Sequence, residues 1–218
     1  MKCDVAKQKA NIARSLARLL SEPDEEMVGA LRAGELYRLF SHHFGSAYGK
    51  IPSLEGFLYM TCQEAALNQM KEEYRRLFQD PVTGDLWWVE STHKVWTKDP
   101  GSAVSFAREK GYLMGDPALH MMEVYRFLGV EVPDEFGGLP DHIILELECL
   151  AILLESFPEE TTRNFLRDHL DWVPEMVKKG KGYQPSPFYC SVLDALENFI
   201  RLELGERTKG GKGPCGEN

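Results

Sequence analysis

One segment limits the choice of fold more than any other. Asp141-His142-Ile143-Ile144-Leu145-Glu146-Leu147-Glu148-Cys149-Leu150-Ala151-Ile152-Leu153-Leu154 is apolar nearly all round. A helix without a wet face must be surrounded by other elements, so this one belongs at the centre of a bundle. It nevertheless carries Glu146 and Glu148, which point about 200° apart on a helical wheel. At least one of these carboxylates therefore lies against protein, where a lone charge is costly unless paired or protonated. Asp141 is placed to cap the helix. His142, one turn before Glu146, is within reach of it. Three readings of this trio stay open: a buried polar network, a groove in which Asp141, His142 and Glu146 receive a cationic ligand, and a metal pair from His142 and Glu146.

The rest of the chain supplies the surrounding helices. Ile12, Leu16, Leu19 and Leu20 form one apolar stripe before Pro23 ends the run. A second helix is predicted to about Phe44, with Leu36, Tyr37, Phe40 and Phe44 inward and a connection over 45–52. A third, long helix is predicted over 54–78, ended by Asp80-Pro81. Helices resume at Pro117–Leu128, where Gly129 stops the run, and then at Asp141–Ser156. Pro158 and Pro174 mark two further starts. The last helix turns Phe188, Val192, Leu196, Phe199 and Ile200 inward. The expectation is an all-α, single-domain, multi-helix bundle over 1–204, followed by a disordered tail over 205–218 with nothing to bury.

The least regular part is Leu86-Trp87-Trp88-Val89-Glu90-Ser91-Thr92-His93-Lys94-Val95-Trp96. Its aromatic and β-branched content suits a short extended piece. No other segment reads as a pairing partner, so an ordered loop or a bent helix start is expected. Trp87, Trp88 and Trp96 either pin this loop to the core or anchor a partner, with Glu90 and Ser91 supplying polar contacts.

Charge and motifs narrow the function classes. The net charge of −9 argues against nucleic acid, whose phosphates need a basic face, and favours a cationic partner. Five scattered cysteines, never spaced as CxxC, read as reduced thiols and give no structural zinc site. No stretch approaches the ~18 apolar residues of a membrane span, and the first residues lack a secretory apolar core, so a cytoplasmic location is expected. There is no GxSxG elbow, dinucleotide fingerprint or phosphate loop. His42 and His43 are adjacent and diverge on a helix, while His120 and His169 read as structural histidines. No catalytic residue, metal or cofactor is assigned. A polypeptide-binding protein is expected, not an enzyme.

In this order, the segments resemble the TorD/DmsD/NarJ-type redox-enzyme maturation chaperones. The likeness is carried by Glu73-Tyr74-Arg75-Arg76-Leu77-Phe78, by Glu90-Ser91, by Tyr125-Arg126-Phe127-Leu128-Gly129 and by Pro140-Asp141-His142 with Glu146-Leu147. His169-Leu170-Asp171-Trp172-Val173-Pro174 and Pro187-Phe188-Tyr189 continue it. It departs where Thr92-His93-Lys94 follows the Glu-Ser pair and where Cys149 follows Glu-Leu. The resemblance implies a TorD-like bundle that binds the N-terminal twin-arginine leader of a molybdopterin-containing oxidoreductase subunit. It would assist cofactor insertion and assembly in the cytoplasm before export. Such a leader is cationic and then apolar, which would place Trp87, Trp88, Glu90, Ser91, Asp141, His142 and Glu146 in its binding groove. The alternatives are a nitrate-reductase-type assembly factor for a client that is not exported and a nucleotide-hydrolysing enzyme. The partner is the precursor of the catalytic subunit. The protein itself is expected as a monomer or homodimer, with exchange of elements between protomers as one route to the dimer. If Asp141 and Trp87 line the groove, alanine at either weakens leader binding and leaves the helices intact.

Overall fold

The computed structural model describes residues 2–58, 63–79 and 88–205. Its elements are helices: α1 (Lys2–Leu19), α2 (Glu25–Arg32), α3 (Glu35–Tyr48), α4 (Gln63–Tyr74), α5 (Asp116–Leu128), α6 (Ile143–Ser156), α7 (Glu159–His169), α8 (Val173–Gly182) and α9 (Pro187–Glu203). Among the described residues there is no strand, only an isolated antiparallel bridge between Val89 and His142. The fold is all-α, as the sequence predicts. The tail beyond Gly205 lies outside the described residues.

Helix α6 occupies the centre. Leu147, Leu150 and Ala151 are fully buried, α1 packs along it and α7 follows it across a short turn. The stripe of α1, Ile12, Leu16, Leu19 and Leu20, is buried. Arg14 ties the outer edge of α1 to α6 through both oxygens of Glu155, at 2.9 and 2.6 Å. The inward residues of α9, from Phe188 to Ile200, complete the core with Phe40, Phe44 and Phe57. Of the two opposed carboxylates Glu146 and Glu148, the first is fully buried and the second exposed.

Three local expectations need correction. The predicted second helix is two helices, because the chain turns through Gly34 at φ +67 after Ala33. That left-handed conformation suits glycine, which has no Cβ to clash. The second of them then continues through Gly45 to Tyr48 and stops at Gly49, φ +64, so the predicted connection begins too early. The described part of the long third helix is a 3-10 turn at Glu55–Leu58, then α4, then a π-turn at Arg75–Gln79. Residues 59–62 lie outside the described residues. Finally, the cap of α6 is His142, whose Nδ1 accepts the Ile144 N–H at 3.3 Å. That bond turns His142 toward its own helix end and away from the pairing with Glu146.

Gly56 fixes how the 55–58 turn meets α9. Its N–H donates to Ser191 Oγ at 2.9 Å, and a Cβ there would fall 1.7 Å from the Pro187 carbonyl oxygen. Backbone cannot yield as a side-chain tip can. Gly56→Ala is therefore expected to lose ~1–3 kcal/mol as an overpacked site, read as a lower urea midpoint with an unchanged slope.

Candidate functional site

The irregular segment before α5 and the start of α6 are clipped together by main chain. Glu90 N–H donates to Asp141 O and Ile143 N–H donates to Trp88 O, both at 2.9 Å. The segment expected as an ordered loop or a bent helix start does hold one paired residue, Val89, whose partner is the single residue His142, too short to show as a strand in sequence. A 3-10 turn at Glu90–Thr92 follows. The clip is reinforced by Asp141, whose Oδ2 accepts the Ser91 N–H at 2.7 Å and also the Ser91 hydroxyl. Tyr125 of α5 donates its hydroxyl to Pro140 O at 2.7 Å.

These contacts bring Glu90, Ser91, Asp141 and Glu146 into one buried layer, each with no exposed surface. His142 stands at its edge, in the bridge to Val89. Trp88 is buried as well. Its Nε1 donates to Leu77 O at 3.2 Å, within the π-turn. A π-turn leaves carbonyls out of the usual ladder, and here one of them holds the indole. Trp87 lies outside the described residues.

From this layer a polar chain runs outward. Glu90 Oε2 meets His169 Nδ1 at 2.7 Å, and His169 Nε2 meets His120 Nδ1 at 2.7 Å. Glu90 Oε1 pairs with Lys94 Nζ at 2.7 Å. Lys94 in turn reaches Asp171 Oδ1 and the Asp168 carbonyl, each at 2.6 Å. Trp172 donates its Nε1 to His169 O at 2.7 Å and stacks flat on His93, ring centroids 4.7 Å apart.

Burial sets the electrostatics of the layer. Burial first, then the facing Glu90 charge, raises the Glu146 carboxyl well above the ordinary range. Asp141 is raised too, by burial, against the opposing effect of its two bonds from Ser91. Burial pulls His142 down to about 4, so it is neutral at physiological pH. Lys94 is penalised by burial, but the Glu90 and Asp171 charges outweigh that and raise it. A neutral Glu146 is the donor that a carboxyl–carboxylate contact with Glu90 requires.

Above the layer lies an open pocket of about 900 Å³ between the 92–98 segment, the start of α5, and α7 and α8. Lys94, His120, His169 and Trp172 line it, so the polar chain ends on its wall. Asp116, Asp168, Asp171 and Glu175 contribute acid to the same lining, interleaved with Lys98, Lys110, Arg167 and Lys179. Of the residues singled out by sequence, Glu90, Ser91, Asp141 and Glu146 form a floor behind the wall and do not reach the surface. The pocket residues around His169 and Trp172 carry no spacing signal: Glu90 and His169 are 79 positions apart.

This arrangement can be set beside known proteins. Residues 42–178, more than half of the chain, match the family described as nitrate reductase delta subunit. The chain belongs to that family. A nitrate reductase delta subunit match of this extent spans both the floor residues and all of α7, and so takes in the whole polar chain from Glu90 to His169. A stretch of 120 residues is 28% identical to "Chaperone protein TorD" of Vibrio parahaemolyticus, covering 48% of this chain and 56% of that protein. The chain thus matches little more than half the length of that relative. No solved structure matches. Among the described residues no helix is long and apolar enough to cross a membrane.

Proposed function

We propose that this protein is a cytoplasmic maturation chaperone whose pocket binds the N-terminal leader of a molybdenum-containing oxidoreductase precursor, without catalysing a reaction. The observation that carries the reading is the composition of the pocket wall. Four carboxylates lie among cationic side chains beside an aromatic stack. Carboxylates suit the guanidinium groups of a twin-arginine leader, while lysines can donate to the carbonyls of an extended peptide. The sequence has no phosphate-cradling loop after a strand and no Walker-type lysine, which weighs against the hydrolase alternative.

A leader is cationic first and apolar next. Helix α5 begins in the pocket at Asp116 and Pro117 and carries outward-facing Leu119, Met122 and Phe127, the last 77% exposed. The apolar part of the leader is placed on that strip, and the arginine pair in the pocket. In this reading Trp88, Glu90, Ser91, Asp141, His142 and Glu146 hold the pocket wall in shape. Residues 1–204 act as one unit.

The test is gentle purification from the source organism with mass spectrometry of what accompanies the protein. A molybdenum-enzyme catalytic subunit with its leader intact is the expected result. Asp171→Asn combined with Glu175→Gln should reduce the captured amount roughly 5- to 50-fold, as loss of two charge-assisted contacts does. Capture of a subunit without a twin-arginine pair would replace the leader reading with the assembly-factor one. Absence of any such subunit would sink both.

A further inference from the structure

The buried layer holds more negative charge than its own cation can balance. Glu90, Asp141 and Glu146 carry three negative charges when ionised, and Lys94 supplies one positive charge. Charges at this depth are costly unless compensated. Two protons or one divalent cation would close the balance.

The geometry favours a site for the cation. One oxygen each of Glu90 and Glu146 and one ring nitrogen of His169 lie within 4.8 Å of one another, all three residues buried. Glu146 supplies an independent sign. It is fully buried with one oxygen in this cluster, and among the described residues no N–H or O–H donates to either of its oxygens. His169 is oriented for ligation as well. Its Nδ1 faces Glu90 Oε2 and its Nε2 faces His120 Nδ1, each at 2.7 Å; on loading, Nδ1 would give up its proton to bind the metal and Nε2–H would donate to His120, the outer-shell arrangement typical of a ligating imidazole.

We propose that Glu90, Glu146 and His169 form a site for one divalent cation, with Lys94 as its resident stopper. An imidazole beside two carboxylates selects a metal of the zinc class over magnesium or calcium, and three protein ligands leave a fourth position open. Lys94 now holds the Glu90 oxygen that the metal would take. It already touches Asp171 and the Asp168 carbonyl on the pocket wall, and on loading it withdraws to them. The pocket, lined by both Lys94 and His169, is the way in. The ligands come from three separate segments, so no Cys/His spacing in the sequence announces them.

The test uses the full-length protein, stripped with chelator and titrated with Zn²⁺ by calorimetry and with Co²⁺ by visible absorption, without any peptide. Wild type is expected to bind one equivalent with a cobalt spectrum of mixed nitrogen and oxygen ligation. Glu146→Gln, which keeps the side-chain shape, should lose that equivalent. Lys94→Gln should bind it roughly five-fold tighter or better, since a competing charge is gone. Helical circular dichroism establishes that both variants are folded. No uptake by wild type and Lys94→Gln, or an equivalent that survives in Glu146→Gln, overturns the site. Neither result depends on whether a leader binds.

Discussion

Asp141→Ala is expected to lower the free energy of unfolding by about 2–4 kcal/mol, while Asp141→Asn loses much less. Alanine removes two bonds to a charged acceptor and strands the buried Ser91 N–H, each effect worth on the order of 1–3 kcal/mol. Removing a buried charge offsets part of the sum. Asparagine keeps an oxygen for that N–H. The measurement is denaturant unfolding followed by tryptophan emission, because Trp88 is part of the clip and Trp172 lies just after His169. An alanine variant as stable as wild type would mean that the clip does not hold the 88–92 segment. The expectation from sequence alone, that alanine here spares the fold, is corrected by the full burial of Asp141. Weakened peptide binding in Asp141→Ala would therefore report a collapsed pocket wall, not a lost ligand contact.

The second large effect is a pH profile with two limbs, measured on chelator-stripped protein. Glu146 is raised in the folded state, so above its unfolded value the native protein holds a proton that the unfolded chain has released. Stability then falls as pH climbs through the folded value. His142 works from the other side. Lowered from 6.5 to about 4, it leaves the native state with fewer protons than the unfolded chain between those limits. Stability falls there as pH drops, by about 1–3 kcal/mol over the window. Glu146→Gln should abolish the alkaline limb and make the protein more stable than wild type at pH 8, by on the order of 1 kcal/mol or more. The acid limb should remain, and His142→Gln should remove it. An unchanged alkaline limb in Glu146→Gln would mean that Glu146 is not the group holding the proton.

Much of the bundle is legible in the sequence because apolar periodicity and proline or glycine punctuation are local signals. The stripes of α1 and α9 and the centrality of α6 follow from spacing alone. That at least one of Glu146 and Glu148 is buried also follows, since the two are opposed on a helix apolar on nearly every side; that it is Glu146 does not. What spacing cannot show is which distant segments meet. Val89 pairs with a single residue 53 positions later, and Glu90 with a histidine 79 positions later. Glu90, Ser91 and Asp141 do come together, but as a floor, because whether a polar residue faces solvent depends on what the rest of the chain lays over it. The cap assignment failed on a finer point. Asp141 has the better capping chemistry, yet its carboxylate is engaged by Ser91, and the adjacent imidazole takes the helix end.

The packing of α1 along α6 has a consequence during synthesis. Arg14 and Glu155 are separated by 141 positions, and chains emerge from the ribosome N-terminus first. Helix α3 can cover part of α1 early, but the side of α1 that meets α6 stays open until the chain has been made through α6. While translation proceeds, that stripe is exposed to solvent and to other nascent chains. Chains cut short before Ile143 would leave that side of α1 without its partner. Such fragments should be insoluble or rapidly degraded, whereas in the finished chain α6 closes over α1.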